Sequence, residues 1–283
     1  MNTPSQKLKS QLLSAFGQKG QQWIDTLPAI IKKCSDQWQL DNLIAFHPLS
    51  WNFVAKGRQM NRSVVLKISC DVPALEREIN ALKVFPKGSC VEVIAYDPLL
   101  GAALLETAEP GEELYSHSKD SREKVVLCCE LANRLKISQR PSTYRFDTIR
   151  EQLINLEKNW PQIPNEFLQT ARKLKAELIG NMSETHIIHG DLHQQNILSH
   201  GKSWIVIDPK GYLGSLYNEV WTFIHEPETE IPLAARNLNL NEALLLKWCF
   251  IHSILSATWC IEDGVPPQNA LGLGEKIFPL LPS

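Results

Sequence analysis

Asp191 and Asn196 share one short stretch, Thr185-His-Ile-Ile-His-Gly-Asp-Leu-His-Gln-Gln-Asn-Ile-Leu198. A second aspartate, Asp208, closes the next apolar run in Trp204-Ile-Val-Ile-Asp-Pro-Lys-Gly211. Two carboxylates and one amide at the ends of short strands form the set that phosphoryl transfer requires. One carboxylate orients the attacking hydroxyl and accepts its proton, while an amide oxygen and the other carboxylate hold magnesium against nucleotide phosphates. Magnesium takes hard oxygen ligands and keeps several waters, so one Asp and one Asn completed by phosphate oxygens suffice.

Two further residues would complete a nucleotide site. Lys67 stands among Val65, Leu66 and Ile68, where a lysine is either an exposed face residue or a charge brought to phosphates. Glu78 follows on an expected helix, from which it can reach back to the lysine ammonium as a phosphate-clamp partner. Glu76 competes for that role; Glu78 is preferred because Leu75, Ile79 and Leu82 place it beside the packed face. His189 and His193 have the spacing of a metalloprotease pair, but Gly190 breaks a helix there and Asp191 stands where that motif needs glutamate. Zinc is therefore disfavoured. Lys210 adjoins Asp208 and is read as a site residue, and Glu219 as the anchor of a helix N-terminus near the loop.

The elements that must position these groups fall into two regions. Residues up to about Trp38 read as helices interrupted at Pro28. Strands are then expected over 42–46, 52–56 and 63–68, the last two joined by a polar turn over 57–62. Asp71 and Pro73 signal a helix start. Two more strands are expected over 91–96 and 102–106, followed by a linker over 107–111 and a mostly helical remainder. The plan is a small strand-rich lobe, a hinge near Glu106 to Gly111, and a larger helical lobe with a ligand cleft between them.

The chain has 283 residues, 43% hydrophobic and 21% charged, with a net charge of −2. That balance argues against a nucleic-acid binder, which should carry a basic stripe. Seven cysteines without framework spacing suggest reduced thiols and a cytoplasmic protein, with Cys128 and Cys129 packed in a helix. The patch from Leu12 to Phe16 is too short for a signal peptide. The longest apolar run, Ala243 to Ile261, is diluted by Lys247, His252 and three hydroxyl residues, so it reads as a buried helix and no membrane association is expected.

Lys67, Glu78, the His189-Gly-Asp-Leu-His193 loop with Asn196, and Ile207-Asp-Pro-Lys-Gly211 resemble the aminoglycoside phosphotransferases. The Asp-Pro-Lys-Gly tetrad is similar to the streptomycin kinase and hydroxyurea phosphotransferase branch. So are Ser50-Trp-Asn-Phe-Val-Ala55, Leu104-Leu-Glu-Thr-Ala-Glu-Pro-Gly111, Tyr217-Asn-Glu-Val220 and Leu255-Ser-Ala-Thr-Trp259 with Glu262-Asp-Gly264. The resemblance covers the chain from about Leu40 onward. It implies an α+β, protein-kinase-like bilobal fold, with an N-terminal nucleotide-binding lobe and leading helices over 1–106 and a helical lobe over 107–283. It also implies transfer from ATP, with Mg2+, to a hydroxyl of a small molecule such as a streptomycin-type aminoglycoside or hydroxyurea. Asp191 would be the catalytic base, Asn196 and Asp208 the magnesium ligands, Lys67 the phosphate contact and Glu78 its partner. Leu104 to Thr107, with Glu106, would meet adenine through backbone groups.

Departures narrow the reading. The nucleotide loop over 49–54 lacks the glycine pattern of protein kinases, and no activation loop fits before Tyr217, so protein substrates are not expected. The acidic residues Glu226, Glu228 and Glu230 and the pair Glu262-Asp263 are solvated faces unless they line an acceptor pocket, where they would draw a cation. A metabolite kinase of the same fold, acting on a sugar or amino alcohol, is the alternative. A silent nucleotide-binding module is the remaining one.

Overall fold

The computed structural model describes residues 6–47, 49, 51–137, 143–182 and 184–282. Helix α1 (Gln6–Trp38) leads. It is followed by β1 (Leu40–Ala45), β2 (Asn52–Gln59) and β3 (Arg62–Ser69), then helix α2 (Val72–Val84), β4 (Val93–Asp97) and β5 (Ala102–Glu106). These strands form one antiparallel sheet in the order β1-β2-β3-β5-β4. The expected polar turn is shorter than the sequence suggested: β2 and β3 pair as far as Gln59 with Arg62, leaving Met60 and Asn61 as the tip.

Side chains alternate across a strand, and that alternation sorts the site residue from the core. Leu66 and Ile68 point from β3 into a cluster with Phe53, Ala55 and Leu104, roofed by Leu8, Leu12, Ile24 and Leu27 of α1. Lys67 therefore faces the other way, toward α2. That helix starts as expected: the Asp71 carboxylate accepts from Ala74 N at 3.1 Å, and Leu75, Ile79 and Leu82 are buried. Proline does not break α1. The helix runs through Pro28 and turns instead at Gly17, whose φ of 53° and ψ of −126° suit a residue without Cβ.

Strand β6 (Pro110–Glu113) begins inside the expected linker and runs past its end at Gly111, and helices α3 (Ser121–Leu135), α4 (Ile149–Gln152) and α5 (Asn165–Leu178) follow. Next come β7 (His186–Ile188), β8 (Ile197–His200), β9 (Ser203–Val206) and β10 (Tyr212–Gly214), and the chain closes with α6 (Pro227–Leu238), α7 (Glu242–Glu262) and α8 (Gln268–Ile277). Strands β6, β8 and β9 make a small sheet, and β7 pairs with β10. These short strands matter because their ends carry Asp191, Asn196 and Asp208. Helix α7 is long and apolar enough by composition to span a membrane, but 61% of its most apolar window is buried among neighbouring helices. It is a core helix. Cys128 and Cys129 are buried on α3, and all seven cysteines are free.

Candidate active site

The loop after β7 is held by three backbone devices. The first is the buried Glu219 carboxylate, which accepts from His189 N at 2.7 Å and from Gly190 N at 3.0 Å. The second is the His189 ring: Asp191 N donates to Nδ1 at 3.2 Å, so Nε2 carries the proton and donates to Ile207 O at 2.8 Å. Burial lowers this imidazole to about 4, in keeping with the neutral tautomer that those two bonds define. The third is the His189 carbonyl, which accepts from Lys210 N at 2.8 Å and Gly211 N at 3.2 Å. One residue thus ties the Asp191 loop to the Asp208 loop. Gly190 must lack a side chain, since its φ is 80° and a Cβ there would lie 2.6 Å from the Tyr212 ring.

Glu219 was expected to cap a helix; it anchors the loop itself. Removing its acceptors should leave two buried N–H groups unsatisfied, each at about 1–3 kcal/mol. Glu219→Ala should accordingly lower unfolding free energy by roughly 2–5 kcal/mol, read by chemical denaturation, with Glu219→Gln milder. A loss below about 1 kcal/mol would remove it as the anchor. Burial pushes its carboxyl up to about 7 from 4.5, against the pull of the N–H donors. A folded value above the unfolded one contributes stability that is complete below the unfolded value and is lost as pH rises through the folded one. Wild-type stability should fall between about pH 5 and 8 by up to roughly 3 kcal/mol on this account, and Glu219→Gln should flatten that slope.

Lys67 is 3% exposed, and its ammonium bridges Glu78 Oε2 at 2.6 Å and Asp208 Oδ1 at 2.7 Å. Burial opposes that charge, but Asp208 and then Glu78 outweigh it and hold the lysine above its usual range. Burial likewise pushes Glu78 up to about 7 against the pull of Lys67, and its second oxygen has no hydrogen-bond partner. At Asp208 burial would raise the carboxyl, yet Lys67 prevails and holds it below the usual range. Glu76, the competitor, is exposed. Asp208 adopts a left-handed φ of 58°, a conformation that costs a non-glycine residue about 1–3 kcal/mol and collects at functional sites. Nearly half of its side chain, 46%, stays open to the cleft.

On the opposite wall Asn196 Nδ2 donates to Asp191 O at 2.9 Å, which orients the amide and leaves its oxygen for another partner. Lys210 Nζ lies 3.6 Å from Asp191 Oδ2, and His193 Nε2 lies 3.9 Å from Oδ1. Two compartments meet at Lys67 and Asp208. The polar one, about 600 Å3, is lined by Glu78, Asp191, Asn196, Lys210 and Asp263 among others. The other, about 480 Å3, is walled by Phe46, Val54, Val65, Leu105 and Ile207. The Glu106 side chain is occupied, accepting from Glu92 N at 3.1 Å and approaching Arg62 at 3.8 Å, and its backbone N–H donates to Glu92 O at 2.9 Å, although the residue borders the second compartment.

Glu219 thus lies behind the loop, whereas Lys67, Glu78, Glu106, Asp191, Asn196, Asp208 and Lys210 line the two adjoining compartments. The acidic cluster does not: Glu230 is buried and accepts from His225 N and Glu226 N, while Glu226 pairs with Lys276. Of the Glu262-Asp263 pair only Asp263 reaches the cleft, because Glu262 is bonded to Lys158 and Asn155. Ser50, in the expected nucleotide loop, lies outside the described residues; its neighbours Trp51 and Asn52 line the polar compartment. Arg77, Tyr212 and Phe16 also line it and were not foreseen. Tyr212 stands next to the tetrad and was within reach of the sequence, whereas nothing in the spacing singles out Phe16.

Among the described residues no cluster of three or more His, Cys, Asp or Glu could hold a metal. A zinc site is unsupported by that donor set. The free oxygens of Asn196 and Asp208 on the cleft wall do fit magnesium, which needs few protein ligands beside phosphates.

The family model described as aminoglycoside/hydroxyurea antibiotic resistance kinase matches residues 51–264. A streptomycin 6-kinase of Streptomyces glaucescens is 24% identical over 91% of this chain and 90% of its own length. A streptomycin 3''-kinase of Klebsiella pneumoniae is 25% identical over 81% of this chain and 91% of its own. In fold, the chain matches a choline kinase of Streptococcus pneumoniae with a TM-score of 0.68, covering 90% of this chain and 98% of that one at 13% identity.

Proposed function

Since the chain belongs to the aminoglycoside/hydroxyurea antibiotic resistance kinase family and is a phosphotransferase acting on an alcohol group, we propose that it phosphorylates a hydroxyl of a cationic, streptomycin-type aminoglycoside at the expense of ATP. The observation that carries this reading is the Lys67 ammonium, set between Glu78 and Asp208 where the apolar and polar compartments join.

The apolar compartment suits a purine, with Leu105, Glu106 and Ala108 along its edge. Lys67 then takes the phosphates, and Glu78 keeps its ammonium charged and aimed. Asn196 and Asp208 would hold magnesium, which supplies neutralisation of phosphate charge when bound. Asp191 accepts the proton of the attacking hydroxyl, its backbone fixed by His189 and its carboxylate faced by Lys210. Lys210 thereby places a second positive charge where the transferring group carries its developing charge. Asp263, across the polar compartment, adds the negative charge that a cationic acceptor would meet. Most of the rate comes from holding the reactants in line and meeting their charge. On this reading residues 1–106 are the nucleotide lobe and residues 107–283 carry catalysis and the acceptor. Seven free thiols suit a reducing cytoplasm.

The test is ADP release and product mass over a panel of streptomycin-type and other aminoglycosides, hydroxyurea, sugars and amino alcohols. The reading expects one added phosphoryl group on a streptomycin-type acceptor and kcat/KM for it at least about 10³ above sugars and amino alcohols. Preferred turnover of an uncharged sugar or a small amino alcohol would refute the acceptor assignment.

A further inference from the structure

Beyond the matched stretch 51–264, the tip that α1 forms at its bend, just ahead of Gly17, lies against the cleft. Ala15 and Phe16 line the polar compartment together with Asp191, Lys210 and Asp263, and neither lines the apolar one. The tip also touches the other lobe. A Cβ on Gly264, which has a φ of 67°, would sit 3.1 Å from Ser14 Oγ, so helix tip and the end of α7 meet beside Asp263. The turn that brings it there is built tightly: Gly17 has a glycine-type backbone, and a Cβ on Gly20 would lie 2.3 Å from Leu12 O. Leu8 and Leu12 are fully buried against the sheet, so the tip is fixed by its own core.

Phe16 is half-buried, and its ring already receives an ammonium, with Lys19 Nζ 5.7 Å from the centroid. An aromatic ring that holds a lysine can hold another cation in its place. Resting on the acceptor reading above, we infer that the tip of α1 is the outer wall of the acceptor compartment and that Phe16 is a specificity-determining residue that receives a cationic group of the acceptor against its ring. The acceptor bridges ring and carboxylates: Asp191 takes the hydroxyl, Asp263 one charged group, Phe16 another.

The full-length protein and the acceptor turned over best supply the test. Phe16→Ala should raise the acceptor KM about five- to twentyfold, the range of an aromatic–cation contact. The KM for ATP should stay within about twofold of wild type, and Phe16→Tyr should restore affinity. Phe16→Leu keeps apolar bulk and melting temperature but should behave like Phe16→Ala toward acceptor. Amide exchange across residues 12–20 should slow on adding acceptor and not on adding ATP alone. Normal acceptor turnover with an unchanged acceptor KM in Phe16→Ala overturns this inference and leaves the acceptor reading standing. A rise in the ATP KM instead places Phe16 at the nucleotide. Failure of every acceptor removes both.

Discussion

Asp191→Asn should reduce kcat by roughly 10²–10⁴ while MgATP still binds within about threefold of wild type. The residue sits at the open side of a loop whose backbone is held by others, so exchanging its carboxylate for an amide disturbs little else. Its carbonyl, which positions Asn196, is untouched by the substitution. What disappears is the group that accepts the hydroxyl proton, and with it the charge that faces Lys210. Nucleotide affinity rests on Lys67, Asp208 and Asn196, which keep their side chains, and should persist. Steady-state kinetics paired with calorimetric titration separates the two quantities. An undiminished kcat would remove Asp191 from the chemistry, and a parallel loss of nucleotide affinity would make its role structural.

Lys67→Met should lower kcat/KM for ATP by about 10²–10³ and destabilise the protein by roughly 3–5 kcal/mol, the usual result of removing one partner from a buried ion pair. Here the lysine serves two carboxylates, and Glu78 is only 7% exposed. The stability loss should depend on pH. Glu78 is already pushed up to about 7 with the lysine present, so without it the carboxyl rises further and is neutral when folded. A folded value above the unfolded one means stability kept at low pH and lost as pH rises through the folded value. Denaturation should therefore show the variant closer to wild type near about pH 6 than near about pH 8. A pH-independent loss would contradict an ionised glutamate as the partner of Lys67.

The parts legible in the sequence are those governed by local rules. The apolar run Val65-Leu-Lys-Ile68 marked Lys67 as either an exposed face residue or a phosphate contact, and the start signal at Asp71 with Leu75, Ile79 and Leu82 set the helix that brings Glu78 back to it. The Asp191, Asn196 and Asp208 loops could be read because chemistry, not packing, fixes their residue types. What escaped depends on long-range placement. Glu219 looked like a helix cap because nothing local shows that its carboxylate accepts from a loop thirty positions earlier. Pro28 looked like a helix end, but a proline costs one hydrogen bond and packing against the sheet retains the helix, whereas Gly17 turns it without a proline signal. The strand Pro110–Glu113 went unread, its first two residues counted in the linker over 107–111, because a four-residue strand has too few positions to display alternation. Phe16 reaches the cleft only through that turn at Gly17, so its role belongs to the fold and not to its neighbours in sequence.

A crystal structure with a non-hydrolysable ATP analogue, magnesium and an aminoglycoside acceptor tests the central claim most directly. The account predicts the base among Phe46, Val54 and Leu105, the triphosphate against Lys67, the metal between Asn196 and Asp208, and an acceptor hydroxyl within hydrogen-bond reach of Asp191. A triphosphate bound away from Lys67, or an acceptor whose hydroxyls all lie beyond reach of Asp191, would contradict it.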